Sequence, residues 1–144
     1  MTKEFFAQIE PLLKEAGFKG KIDKSDGLAI WKGNTSVIIH HHPMPYDEYY
    51  ERVCVTFGLK NKDMRKANPA MVLWLNNHLS CYYPEFSFVC LQNNDMLVRY
   101  VCDILEPQDM LNQLAYAIEF FRHVRQDYLK MIPEVCKDFQ FENE

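Results

Sequence analysis

The stretch "GLAIWKGNTSVIIHHH", residues 27–42, decides how this chain folds. Two runs rich in β-branched and aromatic residues flank Gly33-Asn34, a pair suited to a two-residue hairpin turn. A turn there sets the register: Lys32 faces Thr35, Ile30 faces Val37 and Leu28 faces Ile39. Leu28, Ile30, Val37 and Ile39 then share one apolar face, and the period of two puts His41 on it. His40 and His42 fall on the opposite face, with Ile38 and Trp31.

Working outward, "GKIDK" lies before the turn signal "SDG" and reads as a strand preceding the hairpin. After the loop "PMPYDE", the run "YYERVCVTF" supplies a fourth strand. Ahead of all these, Phe5, Phe6, Ile9, Leu12, Leu13 and Ala16 form one helical stripe. Thr2 suits the N-cap and Gly17 the C′ position. Pro11 lies off the stripe and is expected to kink the helix, or to restart it with Glu10 as cap.

In the second half, Met64, Ala67, Met71, Leu75 and Leu79 predict a helix that restarts near Asn68-Pro69 and runs to about Leu79. "SFVCLQ" and "MLVRYVCDIL" flank Asn93-Asn94-Asp95 and predict a second hairpin. Pro107 is expected to open a last helix, with Leu111, Leu114, Ile118, Phe121, Tyr128 and Ile132 on its apolar face and Pro133 at its end. The order is α-ββββ-α-ββ-α, which specifies an α+β fold: a mostly antiparallel sheet with helices packed against it. Nothing resembling a linker interrupts it, so residues 1–132 read as one domain and 133–144 as a C-terminal tail.

Bulk composition narrows the function. Apolar residues make up 48% and aromatics 14% of 144 residues, as in a globular chain rather than a disordered one. The formal charge is −4, and no basic run occurs of the kind that binds phosphate backbones, which disfavours nucleic acid as a partner. The five cysteines, Cys54, Cys81, Cys90, Cys102 and Cys136, include no CxxC, so zinc-ribbon and thioredoxin motifs are excluded. The amphipathic opening "MTKEFFAQIEPLLKEAG" does not read as a secretory leader, and no apolar run reaches the ~20 residues of a membrane span. A cytoplasmic protein with free thiols, no membrane association and no cofactor is the expectation.

The element order, together with "EAGF", "SDG" before "LAIWKGNTSVII", "LWLNNHL" and "PQDMLNQLAYAIEFFRHV", resembles the YbjN-like family. More broadly it resembles the fold of type III secretion chaperones. The resemblance covers roughly residues 3 to 132 and rests on apolar spacing rather than on a chemical signature. It implies an antiparallel sheet with helices against it and no catalytic motif. Type III secretion chaperones are small, acidic, cytosolic dimers that hold an extended segment of an effector; the YbjN branch is regarded as regulatory. The histidine triplet and Pro43-Met44-Pro45 depart from the more acidic text expected after the third strand.

Two function classes compete. In the first, the protein is a non-enzymatic binding module, a homodimer that binds a protein segment. "AMVLWL" is apolar nearly all round, so some of Met71, Val72, Trp74 and Leu75 are expected to meet another surface, with Tyr49 and Tyr50 among the partner-binding candidates. In the second, His40 and His42 grip a metal ion with Glu51, taken as opposite His40 with Tyr49 opposite His42. The plainer reading of the triplet is a polar strand end. Cys54 is the thiol nearest the histidine strand, but no sequence context lowers its pKa or supplies an oxyanion hole. Asp103, Glu106 and Asp109 read as charge complementing a helix N-terminus rather than as an acid pair.

Overall fold

The computed structural model describes residues 2–42, 50–59, 72–77, 83–90 and 96–124. The elements are α1 (Thr2–Glu15), β1 (Lys19–Ile22), β2 (Leu28–Lys32), β3 (Thr35–His42), β4 (Glu51–Leu59), β5 (Phe86–Cys90), β6 (Met96–Ile104) and α3 (Asp109–His123). Residues 72–77, between β4 and β5, are helical and are labelled α2. The strands form one six-stranded sheet in the order β1-β2-β3-β4-β6-β5. The architecture is therefore α+β, as the sequence predicts. The expected restart at Asn68-Pro69, the second hairpin loop, the end of α3 near Ile132 and the tail lie outside the described residues.

The chain divides into two compact units, Met1–Phe57 with Tyr100–Ile118, and Gly58–Arg99 with Glu119–Glu144. In the first, the β2–β3 ladder pairs Leu28 with Ile39, Ile30 with Val37 and Lys32 with Thr35. This is the register expected from a turn at Gly33-Asn34. Gly33 adopts φ of +59°, at the first turn position, where the II′ hairpin turn requires glycine. Val37, Ile39 and His41 are buried while their neighbours are half-buried or exposed. Phe5, Phe6, Ile9 and Leu13 of α1 are buried in the same core.

Helix α1 ends as its sequence directs. Gly17 has φ of +94°, the Phe18 N–H donates to the Leu13 carbonyl (2.9 Å) and the Gly17 N–H to that of Lys14 (3.0 Å). This is a Schellman closure, and it turns the chain straight into β1. Lys32, at the end of β2, adds a cap by donating to the Ala16 carbonyl (2.9 Å), with its ammonium 5.5 Å from the Phe18 ring centre. Pro11 neither ends nor restarts α1, which runs through it as one element. Residue 11 has no N–H, so the ladder bond to the Ala7 carbonyl cannot form.

The turn between β1 and β2 is held by Asp23. Its Oδ1 accepts from the Ser25 N–H (2.9 Å), the Ser25 hydroxyl (2.6 Å) and the Gly27 N–H (3.2 Å). The Ser25 hydroxyl is the main reason that this carboxyl sits below its ordinary pKa. At the start of α3, Asp109 accepts from the N–H groups of Leu105 (3.2 Å) and Glu106 (3.0 Å). The carboxylate thus ties the two residues ahead of Pro107 to the first residue of the helix, in the manner of a capping box.

In the second unit, Phe86 and Phe88 of β5 and Met96 and Val98 of β6 are buried, as are Phe120 and Phe121 of α3. Phe86 stacks on Phe120 with ring centres 3.7 Å apart and meets Phe121 edge-on at 6.1 Å. Tyr83 lies 4.9 Å from the Phe120 ring.

Gly17→Ala is expected to destabilise the protein by about 1–2 kcal/mol, since the left-handed backbone there penalises a Cβ. A Cβ at that position would also crowd the Lys32 side chain at 3.2 Å. Urea denaturation of the two proteins measures the difference.

Candidate functional site

The histidine triplet closes β3, and the ladder to β4 decides its chemistry. His40 pairs with Cys54, His41 with Val53 and His42 with Arg52. The expected placement of Glu51 opposite His40 is therefore corrected: the register puts Cys54, three residues further along β4, opposite His40. The carboxylate of Glu51 meets His41 instead, whose Nε2 donates to its Oε2. The His41 side chain is only 1% exposed and stacks on the Phe5 ring at 4.5 Å. His41 thus joins α1 to the sheet and has a structural part. Among the described residues, no group of three or more His, Cys, Asp or Glu side chains is placed to hold a metal ion.

His40 faces the other way. Its Nε2 lies 2.8 Å from the Ser25 hydroxyl, whose own proton goes to Asp23. The ring is thus the donor, and the chain of bonds runs from His40 through Ser25 to a carboxylate. That polarity is wrong for a histidine that must accept a hydroxyl proton as a base. The turn packs closely on this ring: a Cβ at Gly27 would lie 2.7 Å from His40 Nε2 and from Ile38 Cγ2.

The remaining candidates are equally placed by the fold. Cys54 is buried and Cys102 is half-buried, both free thiols. Burial, chiefly, pushes the Cys102 thiol up to about 12, which keeps it protonated and weakly nucleophilic at neutral pH. Asp103 makes a two-point pair with Arg52, at 2.9 and 3.3 Å, on the strand surface. Asp109 caps α3, so the acidic cluster divides between a sheet ion pair and a helix start.

Of the residues expected at a partner surface, Tyr49 and Met71 lie outside the described residues. Tyr50 is exposed, while Val72 and Trp74 are half-buried. Leu75 is fully buried, a correction to its surface reading: it is the inward residue of α2 and belongs to the core. The helix instead presents Leu73, which is 62% exposed.

The sequence allows an extended segment to add to a free sheet edge, but it does not single out the edge beside α1. A groove of about 670 Å³ has Ala7, Pro11, Lys14 and Phe18 on one side and Gly20 and Leu28 on the other. Strand β1 forms one end of the strand order, and all four of its residues are exposed. Its outer backbone groups follow from the ladder. The Asp23 N–H bonds the Gly27 carbonyl (2.9 Å), so the next pair inward, Ile22 with Leu28, is non-hydrogen-bonded, and so is Gly20 with Ile30. The N–H and C=O groups of Gly20 and Ile22 therefore point away from β2, to the side on which no other described strand pairs. The legible signal was "KGKI": a glycine on a short strand, where backbone and groove lie open.

No protein-family model matches the chain, and no curated protein matches it. Among solved structures it is similar to the crystal structure of the Yersinia pestis type III secretion chaperone SycH in complex with a stable fragment of YscM2. The identity is 11% and the TM-score 0.46, over 80% of this chain and 94% of that one. At that distance the likeness assigns no function. No helix among the described residues is long and apolar enough to cross a membrane.

Removing the carboxylate that meets His41 is expected to weaken the fold. Glu51→Ala should cost about 1–3 kcal/mol, because a buried ring nitrogen loses a charged acceptor. Chemical denaturation at neutral pH measures it, and a cost below about 0.5 kcal/mol would show that the pair holds nothing in place.

Proposed function

We propose that this protein is a non-enzymatic protein-binding module that takes an extended polypeptide segment onto the open edge of β1. The observation that carries this reading is the coincidence of two features: outward backbone groups at Gly20 and Ile22, and a groove beside them that mixes apolar Ala7, Pro11 and Phe18 with Glu10, Lys14 and Lys19. Strand addition uses both, the backbone for affinity and the alternating side chains for selection. Gly20 is packed closely by Ile30 and Leu28, which a Cβ there would meet at 3.1 and 3.5 Å, and with no side chain of its own it keeps the backbone of the edge accessible. Ile22, 51% exposed, offers an apolar contact on the same face of the strand. Pro11 adds a carbonyl acceptor, that of Ala7, on the helix flank that lines the groove.

Charge selects the occupant. Lys19 and Lys21 alternate with Gly20 and Ile22 and so lie on the opposite face of the strand. Two such strands brought together repel, which guards the edge against self-pairing. A segment alternating apolar with acidic residues satisfies both faces.

The proposal includes a homodimer through α2, where Leu73 is exposed beside half-buried Val72 and Trp74. It also includes residues 1–132 acting as one domain with a short tail, since β4, β6 and α3 each contribute residues to both compact units. The free thiols Cys54 and Cys102 fit a reducing compartment such as the cytoplasm.

Panning a displayed library of random linear peptides is expected to enrich alternating apolar and acidic sequences. Such a peptide should shift the amide resonances of Gly20 and Ile22, and Ile22→Pro should weaken it about tenfold or more by removing an outward N–H. Shifts confined to other strands would sink the reading. For the dimer, light scattering should give twice the chain mass for the parent and one chain mass for Leu73→Glu. A parent of one chain mass removes that part.

A further inference from the structure

The two ends of the sheet are treated differently. Strand β5 ends the strand order opposite β1. At its centre, the Phe88 N–H donates to Asn76 Oδ1 (2.7 Å), and Asn76 Nδ2 donates to the Phe88 carbonyl (3.0 Å). One side-chain amide thus makes both bonds that a neighbouring strand would make at that residue. Two residues earlier, on the same edge by the period of two, the Phe86 N–H is taken by the Tyr83 carbonyl (3.0 Å). Both bonds of Asn76 are partly buried, so the amide is held in place.

We propose that the β5 edge is a second strand-accepting surface held shut by Asn76, and that its occupant, once the amide is removed, is β5 of another copy of this chain. Antiparallel pairing about Phe88 brings the N–H and C=O of one Phe88 onto those of the other, an exchange that a two-fold axis makes self-complementary. The strand "FSFVC" carries no charge to oppose it, in contrast to the lysines of β1. Asn76 therefore settles which edge is offered: β1 to a partner, β5 to nothing.

The test uses the full chain and Asn76→Ala. Hydrogen exchange at the Phe88 amide is expected to quicken about tenfold at low concentration. At higher concentration, light scattering should show a self-association step that the parent lacks. Val89→Lys, added to Asn76→Ala, should abolish that step by placing a charge on the edge. Asn76→Asp keeps an acceptor for the Phe88 N–H but no donor for its carbonyl. It should keep the amide protected and stay at the parental mass, and an associating Asn76→Asp overturns the proposal, which keeps it falsifiable where the alanine variant fails to fold. Parental exchange and parental mass in folded Asn76→Ala overturn the proposal, as does a step that survives Val89→Lys. Ile22→Pro should leave all these readings unchanged, so a failure at β1 and a failure at β5 are told apart.

Discussion

The ladder between β2 and β3 is the constraint on which the first unit depends. Pairing Leu28 with Ile39 and Ile30 with Val37 gathers four apolar side chains on one face. A slip of one residue sends all of them to solvent, because side chains alternate strictly. The same register carries His41 inward, and this explains why a polar ring at the end of a strand is buried. It meets Phe5 of α1 on one side and Glu51 of β4 on the other, so one strand end links three elements.

Much of this was legible in the sequence, for local reasons. A two-residue loop leaves the β2–β3 register no freedom, so residue identities alone settled it. The end of α1 was equally plain, since Gly17 and the apolar pair Leu13 and Phe18 carry a closure whose bonds span only a few residues. The β3–β4 register was not legible. It depends on the path of residues 43–50, and spacing alone could not say whether Glu51 meets His40 or His41. The triplet drew attention to His40 and His42, the pair with metal-ligand spacing, yet the period of two had already singled out His41 as the buried one. Leu75 had two readings, on the apolar stripe of its helix and at a partner surface; its burial agrees with the stripe, and the outward Leu73 was not singled out because "AMVLWL" is apolar on every side.

Two candidate reactive groups among the described residues are held in other roles. The Ser25 proton points to Asp23 rather than to His40, and the Cys102 thiol is protected by burial. Each group is committed to a turn, a strand surface or the core. A side chain so engaged holds the backbone around it, and here that backbone leads to an edge: the Asp23 turn sets the pairing that directs Gly20 and Ile22 outward.

A sheet with two ends has two places where backbone groups lack neighbours, and each invites association. This chain handles them by different means. On the proposed reading the protection at β1 is electrostatic and conditional: Lys19 and Lys21 repel a like strand but attract an acidic one. At β5 the protection is covalently tethered, since the Asn76 amide makes both bonds of a strand residue from within the same molecule. A tethered group competes at an effective concentration that a diffusing strand rarely matches. If the proposal holds, the uncharged β5 stays closed while β1, guarded only by its lysines, is the receptive edge.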